Sequence, residues 1–149
     1  MTSVGFYHLT RTKLEAALPA LLARTLREGE RAVVLAPSPE QVAALDAALW
    51  EAPGEAWLPH GTATDGDADM QPIWLAATEE APNGARFLFL TGGAATARWD
   101  GYARIFDLFD GTDAEAVAAA RTRWRAATAA GLAPVYWQQG PRGWERKSG

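Results

Sequence analysis

Two short apolar runs restrict what this chain can fold into. Val4 to Leu9 (VGFYHL) and Arg31 to Ala36 (RAVVLA) are each too brief to be buried helices. Between them, Leu14, Leu18, Leu21, Leu22 and Leu26 recur at helical spacing. Pro19 interrupts that period and either kinks the helix or shifts its start. Gly29 is placed to end it. The β-branched RAVVLA run reads as a strand covered on both faces. Ser38 caps a second helix, with Pro39 in its first turn and Gln41 completing a capping box. Val42, Leu45 and Leu49 form that helix's inner stripe.

The alternation returns late in the chain. Pro53 to Ala68 reads mostly as loop, with Glu55 to Leu58 as a possible strand. Pro72 to Ala76, Arg86 to Leu90 and Tyr102 to Phe109 read as strands, with a turn at Gly92-Gly93. Thr112 and Glu115 make a capping box for a helix to about Ala130, closed by Gly131. Pro134 to Gln138 is the last expected strand. The pattern predicts an α/β fold, a mainly parallel sheet with helices on both faces. The expected organisation is one domain over 1–138 and a polar, flexible tail over 139–149. At 149 residues the chain is long enough to bury a real core.

Composition narrows the chemistry. There is no cysteine, so disulfides and thiolate metal sites are excluded. The first ten residues lack a signal-peptide pattern, and no apolar run approaches the roughly 20 residues of a membrane span. A soluble, cytoplasmic protein is expected. A phosphate loop is missing: Pro37-Ser38-Pro39-Glu40 has no glycine, and TGGAATAR lacks both the G-x-G-x-x-G spacing and the P-loop lysine. Asp65, Asp67 and Asp69 alternate as in a calcium loop, but Met70 and Ala76 stand where that loop needs Gly and Glu. His8 and His60 are isolated from each other in sequence. His8 reads as a packed, hydrogen-bonded side chain and His60 as part of a loop or contact surface. No catalytic motif, cofactor loop or metal set emerges.

Charge and tryptophan are more informative. The formal charge is -4, yet residues 116–149 hold six basic residues against one acidic, while 1–115 hold eight against seventeen. The excess centres on Arg121-Thr122-Arg123-Trp124-Arg125. On a helix, Val117, Arg121, Trp124 and Arg125 fall within about 100° of one another, and Arg123 projects elsewhere. Three readings stand for that face. It is a solvated helix end with Trp124 in the core, a pocket for an acidic peptide with an aromatic residue, or a contact for single-stranded nucleic acid. Of the seven tryptophans, Trp50 ends the second helix, Trp57 lies in the loop that follows, and each is either a core filler or an exposed anchor.

These residues resemble a known family. Phe6-Tyr7-His8-Leu9, Leu45 to Trp50, Trp57-Leu58-Pro59-His60, Pro72-Ile73, Ala120 to Ala126 and Ala130-Gly131 are similar, in order and spacing, to the chi subunit of bacterial DNA polymerase III holoenzyme. The resemblance implies a Rossmann-like domain without catalysis that serves DNA replication. It further implies a link between the clamp-loader complex and single-stranded DNA-binding protein, whose acidic C-terminal tail ends in Pro-Phe. Carried over onto this chain, the tail-binding residues are Arg121, Trp124 and Arg125, with Phe109. Trp124 and Arg125 stand where the family often has Tyr and Lys. The surface for the psi subunit, or for another replisome or repair protein, is Trp50, Trp57, Pro59 and His60. DNA contact is then mainly indirect. The alternatives are a nucleotide-binding enzyme of Rossmann-like fold and a direct single-stranded DNA binder.

Overall fold

A computed structural model describes residues 2–52 and 58–148. The strands are β1 (Ser3–Leu9), β2 (Ala32–Leu35), β3 (His60–Gly61), β4 (Ile73–Ala76), β5 (Phe87–Leu90), β6 (Arg104–Asp110), β7 (Val135–Gly140) and β8 (Gly143–Ser148). The helices are α1 (Leu14–Arg27), α2 (Pro39–Trp50) and α3 (Ala114–Ala129). One sheet runs in the order β3-β4-β2-β5-β6-β1-β7-β8. Its neighbours are parallel except for the antiparallel pair β7–β8.

Alternate residues of the central strands feed two cores. Val34, Leu75, Phe89 and Phe106 face α1 and α2, meeting Leu18, Leu22, Leu45 and Leu49. Val33, Leu88, Leu90 and Ile105 face the other way, toward Ala120, Val117 and Trp124 of α3. Strands buried on both faces have no polar side, which is why β2 and β5 read as unbroken apolar runs. The expected layering, with helices on both faces of a mainly parallel sheet, is the one the structure has. No helix among the described residues is long and apolar enough to cross a membrane.

Local signals set most element ends. Ser38 Oγ accepts from the Gln41 amide at 3.2 Å, and Pro39 opens α2. The first helix runs through Pro19 unbroken. Gly29, at φ +77°, turns the chain out of α1. Helix α3 starts one residue later than expected. Its cap is Asp113, whose Oδ1 accepts from the Glu115 amide at 3.0 Å. Thr112 is drawn instead to Asp110, which its hydroxyl reaches at 2.6 Å. A carboxylate is a stronger N-cap than a threonine hydroxyl, and the Asp110 contact leaves Thr112 with another partner.

Two other expectations change. The possible strand at Glu55 to Leu58 lies largely outside the described residues, and the structure instead pairs His60–Gly61 with β4. The segment from Gln139 onward, expected to be a flexible polar tail, is ordered as a hairpin. Strand β7 extends to Gly140, and β8 returns beside it after a tight turn at Pro141-Arg142. Trp144 anchors the return, its ring edge-on to Tyr7 at 5.0 Å. An edge strand with one solvated face needs few apolar residues, so β8 does not announce itself by hydrophobicity.

Candidate functional site

Helix α3 crosses β6, β1 and β7 and leaves a cleft of about 320 Å³ beside it. The helix contributes Val117, Ala120, Arg121, Trp124 and Arg125, and the floor consists of Phe6 and His8 from β1, Phe109 from β6 and Tyr136 from β7. Trp124 is half-buried and leans on Phe6, with ring centroids 5.3 Å apart. Phe109 is buried under His8, the two rings nearly parallel at 5.0 Å. His8 Nδ1 is hydrogen-bonded to the Tyr136 hydroxyl, and Nε2 faces the Gly111 carbonyl at 3.5 Å. A Cβ at Gly111 would collide with the His8 ring, so the absence of a side chain there gives the imidazole its place.

The cleft is cationic at its rim. Arg121 and Arg125 are exposed, and among the described residues neither forms an ion pair. Among the described residues, no carboxylate lines the cleft. Burial pushes the Tyr136 phenol above its ordinary pKa, and the nearby Arg121 charge pulls weakly the other way. Tyr136 is therefore a neutral hydroxyl at physiological pH. The arrangement suits a ligand with carboxylates outside and a ring inside: guanidinium groups gather the anion, and aromatic walls take the apolar part.

Arg123, set apart from the others by helical geometry, points inward. Its Nε and Nη2 bind Asp107 Oδ2 and Oδ1 at 2.6 and 3.0 Å. Asp107 is 1% exposed and Arg123 8%. Burial pushes the Asp107 carboxyl above its usual range, and the two arginine bonds oppose that push. The pair fastens α3 to β6 beneath the cleft. The sequence does carry a signal for it, because Asp107 interrupts the apolar run Ile105 to Phe109 and a charge in a buried strand needs a counter-ion.

The second group of candidate residues lies at the far end of the sheet. Trp50, the last residue of α2, is 63% exposed. Its ring rests on His60 at 4.7 Å. His60 is buried rather than at the surface, which corrects the expectation of a contact residue. Its Nδ1 lies 2.6 Å from the Leu58 carbonyl and its Nε2 2.9 Å from Asp46 Oδ1. These bonds hold the ring as a shelf under Trp50. Pro59 is half-buried between them. Trp57 lies outside the described residues. Five strand spacings separate β3 from β1, on the order of 25 Å. The structure thus brings Arg121, Trp124, Arg125 and Phe109 together and keeps Trp50 and His60 apart from them.

A larger crevice of about 740 Å³ opens at the carboxyl ends of β1 and β6. These neighbours lead to helices on opposite faces, the position where doubly wound folds bind nucleotides. Here the backbone amides of Thr10, Arg11 and Thr12 all donate to Gln139 Oε1, at 2.9, 2.8 and 3.1 Å. The chain's own side chain holds the amides that would otherwise face a phosphate.

The model of the DNA polymerase III chi subunit family, HolC, matches residues 1–135. The chain belongs to that family. No curated protein matches it in sequence. Membership makes the chain a replication accessory subunit of DNA polymerase III type. The chi match includes α3, Trp50 and His60, and it stops at the first residue of β7. Tyr136, Gln139 and β8 therefore lie beyond the matched region.

Proposed function

We propose that this chi-family chain is a non-catalytic cytoplasmic bridge. Its α3 cleft binds the acidic C-terminal tail of single-stranded DNA-binding protein, and its Trp50 surface meets the clamp-loader side through psi or another replisome protein. The observation that carries this reading is the cleft itself, which has two guanidinium groups beside an aromatic slot, with no ion pair to them and no carboxylate in the lining among the described residues. At about 320 Å³ it lies at the lower end of small-ligand pockets. That size suits one terminal Phe and its neighbour. Arg121 and Arg125 take tail carboxylates, and Trp124 and Phe109 line the ring slot. DNA contact then runs through the partner.

Calorimetry with an acidic peptide ending in Pro-Phe tests the assignment. Arg125→Glu should bind roughly tenfold more weakly, a loss of about 1.4 kcal/mol. Trp124→Ala should lose more, about 2 kcal/mol, as a central aromatic anchor does. Equal affinity of wild type and both variants rules out this cleft. A single-stranded oligonucleotide binding as tightly as the peptide would favour direct DNA contact instead.

A further inference from the structure

On the face of the sheet opposite the α3 cleft, a groove of about 130 Å³ opens between α1 and the strands β6, β1, β7 and β8. Tyr7 of β1, only 6% exposed, forms its floor. Arg24 of α1, Arg104 of β6 and the indoles of Trp137 and Trp144 stand around it. Both indoles are half-buried, and both belong to the β7–β8 hairpin, beyond the region matched to the chi family. We propose that this groove is a further docking site, which seats one Asp or Glu carboxylate of a partner protein between Arg24 and Arg104 and an apolar neighbour of that residue against the two indoles.

Donor and acceptor counting points to an anion. The Arg104 guanidinium lies over the rings of Phe106 and Phe87, at 4.6 and 5.5 Å from their centroids. Stacking holds a guanidinium by its face and leaves the N–H groups in its plane to donate. Among the described residues, neither Arg104 nor Arg24 forms an ion pair. Burial pushes the Tyr7 phenol above its ordinary pKa, and the Arg104 and Arg24 charges pull it the other way. Both cations therefore lie near a hydroxyl that keeps its proton. A phenol and two guanidinium groups converge with hydrogens to donate and no paired carboxylate to receive them. Among the described residues, Glu28 is the one carboxylate in the lining, and it is exposed at the end of α1.

Charge and size then choose the ligand. Two arginines against one glutamate leave a single positive charge in the lining, and the C-terminal end of α1 adds partial negative charge. A carboxylate monoanion balances this sum, whereas a phosphate dianion exceeds it. The two oxygens of a carboxylate also match the guanidinium fork. At about 130 Å³ the groove is far smaller than the α3 cleft of about 320 Å³ and than the roughly 300 Å³ at which small-molecule pockets begin. It admits one carboxylate without a ring, and the rest of the ligand stays on the surface. That is the demand a protein side chain makes, and Trp and Arg are the residues most enriched at the energetic centres of protein interfaces.

The experiment is NMR of the whole chain titrated with acetyl-Glu-Leu-amide, and with acetyl-Gln-Leu-amide, which lacks only the charge. The indole N–H resonances of Trp137 and Trp144 should shift and saturate with a Kd of roughly 1 mM for the acidic peptide. The uncharged peptide should bind at least tenfold more weakly. Arg24→Gln removes an exposed side chain, leaves the fold intact and should weaken binding roughly tenfold, and Arg104→Gln should do the same. Tyr7→Phe keeps the ring and should weaken binding roughly threefold. Equal binding of the two peptides, shifts confined to the Trp124 indole, or affinity unchanged in Arg24→Gln overturns the groove as a carboxylate site. An oligothymidylate that shifts the Trp137 and Trp144 indoles at lower concentration than the acidic peptide also overturns it, in favour of phosphate. Tail binding is reported separately by Trp124, so either site can fail without the other.

Discussion

Three arginines within five residues meet two different environments, and backbone geometry alone separates them. Arg121 and Arg125 stay in solvent at the rim of the cleft, while Arg123 is buried against Asp107. Their values to the protein differ accordingly. Exposed arginines contribute little to folding. Removing one partner of a buried pair leaves an uncompensated charge and costs about 3–5 kcal/mol. Arg123→Ala should therefore lower stability by that amount in urea melts, whereas Arg125→Ala should change it by less than about 0.5 kcal/mol. The double variant Asp107→Leu with Arg123→Leu should recover much of the loss, because an apolar pair of similar volume replaces the buried ions. The loss in Arg123→Ala should also depend on pH. Burial already raises the folded-state pKa of Asp107, and losing Arg123 raises it further. A raised carboxyl favours the fold below its unfolded pKa and loses that advantage as pH rises through the folded value. The deficit of Arg123→Ala should grow from pH 4 to pH 7.

At the scale of elements, the distance between partners decides what the sequence discloses. The Ser38–Gln41 cap spans three residues and is legible as a pattern. The cap of α3 is equally local, but Asp110, Thr112 and Asp113 compete there, and spacing alone does not rank them. Gln139 lies over 120 residues from the loop whose amides it binds, and no periodicity marks it. It also returns a bond from Nε2 to the Thr12 hydroxyl at 2.7 Å. Strand β8 is hidden for another reason: its alternation is polar on one face, and Trp144 alone marks the packed side. The loop contact predicts a local effect. Gln139→Ala leaves three backbone donors without their acceptor. Hydrogen exchange at Thr10, Arg11 and Thr12 should accelerate at least tenfold, and global stability should fall by about 1–2 kcal/mol. Unchanged exchange at those amides would show that Gln139 does not organise the loop.

Across the whole molecule, charge and topology divide the chain into two ends. The acidic excess lies in residues 1–115, and the basic excess begins within α3. Helical geometry is enough to select Arg121, Trp124 and Arg125 as one face, and the family resemblance adds Phe109. The remaining floor residues are not legible in this way, because β1 and β7 bring Phe6, His8 and Tyr136 together only when the sheet forms. The Trp50 surface sits at the opposite edge of the same sheet, by β3 and β4. Changes at separated sites add without coupling, to within about 0.5 kcal/mol. Trp50→Ala should accordingly leave tail affinity unchanged and weaken only the second partner. Salt then separates the two components of tail binding. Exposed charges are screened as the Debye length falls from about 10 Å at 0.1 M to about 3 Å at 1 M, while ring burial is not. Wild-type affinity for the acidic peptide should drop roughly tenfold between 0.05 and 0.5 M salt. Arg125→Gln should flatten that slope. Trp124→Ala should weaken binding equally at every salt concentration and leave the slope as it was. If Trp124→Ala changes the slope as much as Arg125→Gln does, the indole acts by positioning the arginines and not as the wall of a ring slot.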